Sequence, residues 1–183
     1  MSDAPYDARM VCNLLLDEAE RSGVSLTHVP LQKLLYFAHG FHLVETKTPL
    51  VQGYFEAWTY GPVHPAAYRS FKAAGATAIR FRAMRTDPLT GASTVLPNIH
   101  NPEIIQRIQR VVRTYGGVTP SQLVQISHAP RGPWHYVTEC ARSSAALGLR
   151  IPNSAIQERF KYHKVSIGSV PLDGEPGEDT PFA

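Results

Sequence analysis

A chain of 183 residues, 43% hydrophobic and 18% charged, can bury a core as one domain without disulfides or metals. No window carries the apolar run of a membrane span, and Met1-Ser2-Asp3-Ala4-Pro5-Tyr6 lacks a basic and an apolar signal region, so a cytoplasmic location is expected. The net charge of +3 conceals an asymmetry: four of the 15 acidic groups (Asp173, Glu175, Glu178, Asp179) fall where no Lys or Arg follows, leaving a body with 18 basic against 11 acidic groups.

The spacing of Met10, Val11, Leu14, Leu15 and Ala19 predicts a first helix from Asp7 to Arg21, ended by Ser22-Gly23. A second helix is predicted from Pro30 to Glu45. It is apolar on nearly every side, through Leu31, Leu34, Leu35, Phe37, Ala38, Phe41, Leu43 and Val44, and such a helix belongs in the middle of a domain. The aromatic content of Val51 to Thr59 predicts a short strand, which Gly61-Pro62 stops. A third helix follows from Pro65 to Ala74, closed by Gly75. Ile79, Phe81 and Ala83 alternate with Arg80, Arg82 and Met84, the mark of a half-buried strand. Asp87-Pro88-Leu89-Thr90-Gly91 reads as a turn and Thr94-Val95-Leu96 as the return strand of a β-hairpin.

Asn101-Pro102-Glu103 supplies an N-cap, a proline at the first position and an acid in the first turn. In the helix it opens, Ile104, Ile105, Ile108, Val111, Val112 and Tyr115 form one face, Arg107, Arg110 and Arg113 line another, and Gly116-Gly117 stops it. Thr119-Pro120-Ser121-Gln122 has capping-box spacing and opens a short helix through Ile126. Further helices are predicted from Trp134 to Arg142 and from Asn153 to Tyr162. From Gly168 the glycine, proline and acid content predicts a flexible acidic tail.

No residue pattern completes a catalytic constellation. His39 and His42 lie three apart on the second helix and His64 could approach from the next turn, the start of a metal site and of a metal-dependent hydrolase. Yet there is no H-E-x-x-H and no clustered carboxylate, and His42 faces the core side while His39 lies at its margin. Cys12 and Cys140 form no C-x-x-C pair and read as reduced thiols. Ser127 and His128 are neighbours that a helix would point apart, and no G-x-S-x-G elbow or phosphate loop occurs. A DNA-binding regulator is the main alternative. It would use the Arg107, Arg110, Arg113 stripe, the Arg80, Arg82, Arg85 row, and a helix-turn-helix around Gly116-Gly117-Val118. Against nucleic acid as a partner, Ser121 to His128, the would-be recognition helix, holds no Lys or Arg.

The segment Leu31-Gln32-Lys33-Leu34-Leu35-Tyr36-Phe37-Ala38-His39-Gly40-Phe41-His42-Leu43 resembles the leading motif of the Panacea domain family, the SocA-like antitoxins. Pro49-Leu50, then Phe55-Glu56-Ala57-Trp58-Thr59-Tyr60-Gly61-Pro62-Val63, resembles its second motif, and Tyr68 and Phe71-Lys72 continue it. Leu123, Ser127-His128 and Pro133-Trp134 resemble a weaker signature, so the resemblance covers about Asp7 to Phe160. It implies neutralisation of a cognate protein toxin by direct contact. A further role it implies is that of a proteolytic adaptor delivering the toxin to the ClpXP protease. Family members pair with very different toxins, and the family supplies no catalytic residue and no cofactor.

These readings give an α+β, predominantly helical single domain over residues 1–167, with a central buried helix, a small antiparallel β-hairpin, and a tail over 168–183. Exposed tyrosines beside a rigid turn make good anchors, because they bury area while losing few rotamers. Tyr60, Gly61, Pro62, His64, Tyr68 and Arg69 are therefore the expected partner-binding residues. Leu31, Lys33, Leu34, Tyr36, Phe37 and Trp58 are expected to hold that region in shape. The acidic tail, ending Thr180-Pro181-Phe182-Ala183, has the length and single aromatic anchor of a docking peptide for ClpX.

Overall fold

The structure is a computed structural model that describes residues 4–142 and 149–163. The acidic tail expected over 168–183 lies outside the described residues. In chain order the elements are α1 (Ala8–Arg21), α2 (His28–Thr46), β1 (Phe55–Trp58), β2 (Gly61–Val63), α3 (Pro65–Phe71), β3 (Met84–Thr86), β4 (Ser93–Val95), α4 (Pro102–Tyr115), α5 (Pro120–Ser127), α6 (Pro133–Arg142), β5 (Arg150–Ile151) and α7 (Asn153–Arg159). Short 3-10 turns extend α3 to Ala74 and α7 to Tyr162. The result is a predominantly helical α+β fold.

The all-round apolar pattern of α2 has the predicted consequence. Every residue from His28 to Gly40 is buried, and α1, α3, α4, α5, α7 and β2 pack around the helix. Gly40 permits a close approach of the turn after α7, since a Cβ there would run into the Phe160 ring. Tyr36, fully buried, meets the rings of Phe37, Phe55, Phe160 and His163. The His163 Nδ1–H donates to the Ile126 carbonyl at 2.8 Å and its Nε2 accepts from the Tyr36 hydroxyl at 3.0 Å, so the last described residue is lodged against the central helix.

Local punctuation set several boundaries as expected. Asp7 caps α1 by accepting from the Arg9 N–H, and Asn101 caps α4 by accepting from the N–H groups of Glu103 and Ile104. The capping box of α5 forms in both directions between Thr119 and Gln122.

The strands depart from expectation. Gly61-Pro62 does not stop a strand but belongs to β2, which returns antiparallel on β1 across the two-residue turn Thr59-Tyr60, with Trp58 opposite Gly61. Gly61 reaches the needed φ of +99°, and Pro62 sits on an edge strand, where its missing N–H is tolerated. β5 adds on the other side of β1, giving the order β2-β1-β5. The strand expected over Ile79 to Met84 is shorter and later, pairing Met84–Thr86 with Ser93–Val95. Residues 79–83 instead follow α1 and the α1–α2 loop. The Ile79 N–H donates to the Leu26 carbonyl, and the Asn13 amide holds both the N–H and the C=O of Ala83, at 2.8 and 3.0 Å. The alternation correctly marked Ile79 and Ala83 as buried, whereas Phe81 is exposed. No helix among the described residues is long and apolar enough to cross a membrane.

Candidate partner-binding site

The β1–β2 hairpin is gripped from several directions. From α2, the buried Lys33 ammonium donates to the Pro62 carbonyl at 3.1 Å, and the Gln32 side-chain oxygen accepts from the His64 N–H at 2.9 Å. From α6, the Trp134 indole N–H donates to the Trp58 carbonyl at 2.9 Å. Trp134 is itself stacked on His128, with ring centroids 3.7 Å apart. From α3, Tyr68 meets Trp58 edge to face at 4.6 Å and His28 at 4.8 Å. The Trp58 indole N–H is satisfied within the strand by Glu56 Oε2 at 2.7 Å. A Cβ on Gly61 would strike the Ser127 hydroxyl oxygen, so the hairpin, α2 and α5 meet without room for any side chain there.

Beside this hairpin, α1, the 52–53 loop and the start of α3 enclose a cleft of about 400 Å³. Asp7, Arg9, Gln52, Gly53, His64 and Arg69 are among its lining residues. The His64 Nε2–H donates to the Gln52 carbonyl at 2.8 Å, which fixes the tautomer and leaves Nδ1 buried without a hydrogen bond among the described residues. Burial holds the His64 pKa below the ordinary histidine value, so the ring is neutral. Asp7 and Arg9 neutralise each other: the guanidinium donates to both carboxylate oxygens, and this bonding lowers the carboxyl pKa. Arg69 is exposed and makes no ion pair among the described residues.

The expected partner-binding residues thus divide by environment. His64 and Arg69 share the cleft, Arg69 at its surface and His64 in its wall. Tyr60 at the hairpin turn and Tyr68 on α3 are half-buried. Gly61 and Pro62 are buried in β2. Asp7, Arg9, Gln52 and Gly53 were missed by sequence reasoning. They reach the cleft because Tyr6 pairs with Val51, the Tyr6 N–H donating to the Leu50 carbonyl and the Gln52 N–H to the Tyr6 carbonyl. No local pattern signals that pairing. Of the supporting set, Leu31, Lys33, Leu34, Tyr36, Phe37 and Trp58 are all buried.

The histidines of the alternative metal site are engaged with other partners. His39 Nδ1 accepts from the Val51 N–H and its Nε2–H donates to Asn153 Oδ1 at 3.0 Å, while the His64 Nε2–H donates to the Gln52 carbonyl. Among the described residues no three His, Cys, Asp or Glu side chains converge to hold a metal ion. Arg107 and Arg110 turn to Glu45, and Arg82 bridges Asp17 and Glu20, so three of the arginines expected to meet phosphates have carboxylate neighbours. Helix α5 buries Ser121, Leu123, Val124, Ile126 and Ser127, which leaves a narrow face for a groove.

Comparison with known proteins gives a consistent picture. Residues 31–135 match the family described as Antitoxin SocA-like, Panacea domain. That span starts within α2 and ends in α6, and so holds the whole β1–β2 hairpin and its Trp134 brace. The chain is also similar to Antitoxin SocA of Caulobacter vibrioides (strain NA1000 / CB15N), 44% identical over 175 residues, which are 96% of this chain and 93% of that protein. No solved structure matches. The chain belongs to the SocA-like, Panacea domain antitoxin family.

Proposed function

We propose that this chain is an antitoxin that captures a cognate protein toxin by direct contact and transforms no substrate itself. The observation that carries this reading is the near full-length similarity to Antitoxin SocA. The site supports it physically: a hairpin fixed by Lys33, Trp134 and Tyr68 presents its surface without the entropic cost of ordering a loop on binding. Tyr60, Tyr68 and Arg69 form the contact face, the last a cation with no ion pair among the described residues, at a cleft where Asp7 and Arg9 pair with each other. We place its action in the cytoplasm.

The adaptor role extends this reading. Asp173 to Ala183 would serve as the tether to ClpXP while the folded domain holds the toxin. Co-expression tests the core claim: the product of the neighbouring reading frame should arrest growth alone and be harmless with this chain. Continued arrest in the presence of well-expressed chain would refute it. Deleting Asp173–Ala183 should leave toxin binding intact and lengthen the toxin's half-life; an unchanged half-life removes the tether.

A further inference from the structure

The rings that hold His163 lead to an apolar groove. Phe37 and Phe41 lie four apart on α2 and so share a face of it. Tyr115 of α4 meets that face, its ring centroid 4.7 Å from Phe37 and 6.3 Å from Phe41. Phe160 meets it too, 5.0 Å from Phe41 and 5.0 Å from His163. Between α2 and α4 lies a cavity of about 160 Å³, lined by Phe41, Val111 and Tyr115, with Glu45, Arg107 and Arg110 among its polar neighbours. Apolar cavities of that order accept a benzene-sized group. Glu45 pairs with Arg107 and lies 3.9 Å from Arg110, so apolar contact rather than charge decides what fits.

The chain itself supplies a matching segment. Beyond His163 the sequence runs Lys164-Val165-Ser166-Ile167-Gly168, with apolar residues two apart, the spacing that turns them to one face of an extended chain. Each extended residue advances about 3.3 Å, which lets Ile167 lie up to about 13 Å from His163. The path from His163 to Phe37 and on to Tyr115, in ring-to-ring steps of 6.0 and 4.7 Å, falls within that reach.

We propose that residues 164–167 cross this groove as an extended strap and seat the Ile167 side chain in the cavity between α2 and α4. The proposal is independent of what the chain captures. Tethering selects the occupant. A segment joined to the groove by a few residues is present at an effective concentration of millimolar order, which a separate molecule must exceed. A second copy of the chain would gain one side-chain cavity, far less than the about 800 Å² per partner of a stable interface. The strap also sets where the acidic tail begins. Gly168 leaves near Phe41, whereas Gln32 and Lys33, which hold the β1–β2 hairpin, lie about 12 Å back along α2. Tail and hairpin are thereby kept apart, and both can be engaged at once.

The test uses the full chain in solution. By NMR, the Ile167 methyl protons should show nuclear Overhauser contacts to the rings of Phe41 or Tyr115, a readout that needs no variant. Their absence overturns the proposal. Ile167→Asp should lower the melting temperature by about 4 °C, the loss of one buried aliphatic side chain, and Ile167→Leu by less than half of that. An unchanged melting temperature of Ile167→Asp overturns the strap. Deleting Asp173–Ala183 should leave the Ile167 contacts in place; their disappearance would put the anchor in the acidic tail and refute the assignment to Ile167. Contacts that run between molecules, in a mixture of labelled and unlabelled chain, would give the groove to a second copy. Signals of Phe41 and Tyr115 that respond to the purified product of the neighbouring reading frame, with no contact from Ile167, would give it to the toxin. Either result also overturns the proposal.

Discussion

Gly61 carries two constraints at once, a φ of +99° and a van der Waals wall at Ser127. Gly61→Ala should therefore cost more than the about 1 kcal/mol of a left-handed alanine alone. Adding Ser127→Ala should recover part of the loss, because it removes the wall and not the strain; a strictly additive double variant in thermal unfolding would contradict this. The buried histidines make a second residue-level expectation. Burial, helped by the Lys33 charge, pushes His128 down to about 3, and burial brings His163 and His39 to about 4. A histidine depressed in the folded state takes up its proton on unfolding. Its contribution to stability is thus present above about pH 6.5 and is lost as pH falls toward 3 or 4. Acid unfolding should be steep across that window, and His128→Phe, which keeps a ring on Trp134, should flatten the slope by about one proton. The motif places Lys33 among the supporting residues, but its carbonyl partner, Pro62, lies 29 positions away, and no local pattern names that partner.

At the scale of elements, the ends of α4 and α5 rest on side chains a few residues from the groups they satisfy. Asn101→Ala and Thr119→Ala should each cost about 1 kcal/mol, measured by urea unfolding, and should add when combined because the caps share no partner. The same locality explains what was legible beforehand. Caps, prolines and glycines set the helix limits within a few residues, and the greasy circumference of α2 announced its central place. The strands were less readable because their partners are distant. β5 is two residues long and finds its place only by meeting Phe55 and Glu56, and β2 is built from the Gly61-Pro62 pair that reads as a strand stop, which lies opposite Trp58 and Ala57. The cleft was half legible: His64 and Arg69 stood out beside the turn, whereas Asp7 and Arg9 arrive through the pairing of Tyr6 with Val51.

For the whole molecule, the helices serve to immobilise one small hairpin and leave another projecting. If the first is the gripping surface, Tyr60→Ala and Arg69→Glu should each lower affinity for the toxin by about tenfold while leaving the melting temperature unchanged. A fall in melting temperature matching the loss of affinity would instead make them framework residues. The lodging of His163 between Tyr36 and Ile126 has a mechanical consequence. A force applied to the chain at this residue is borne by a ring wedged beside the central helix. Traction there must first extract that wedge before it can loosen the helix itself.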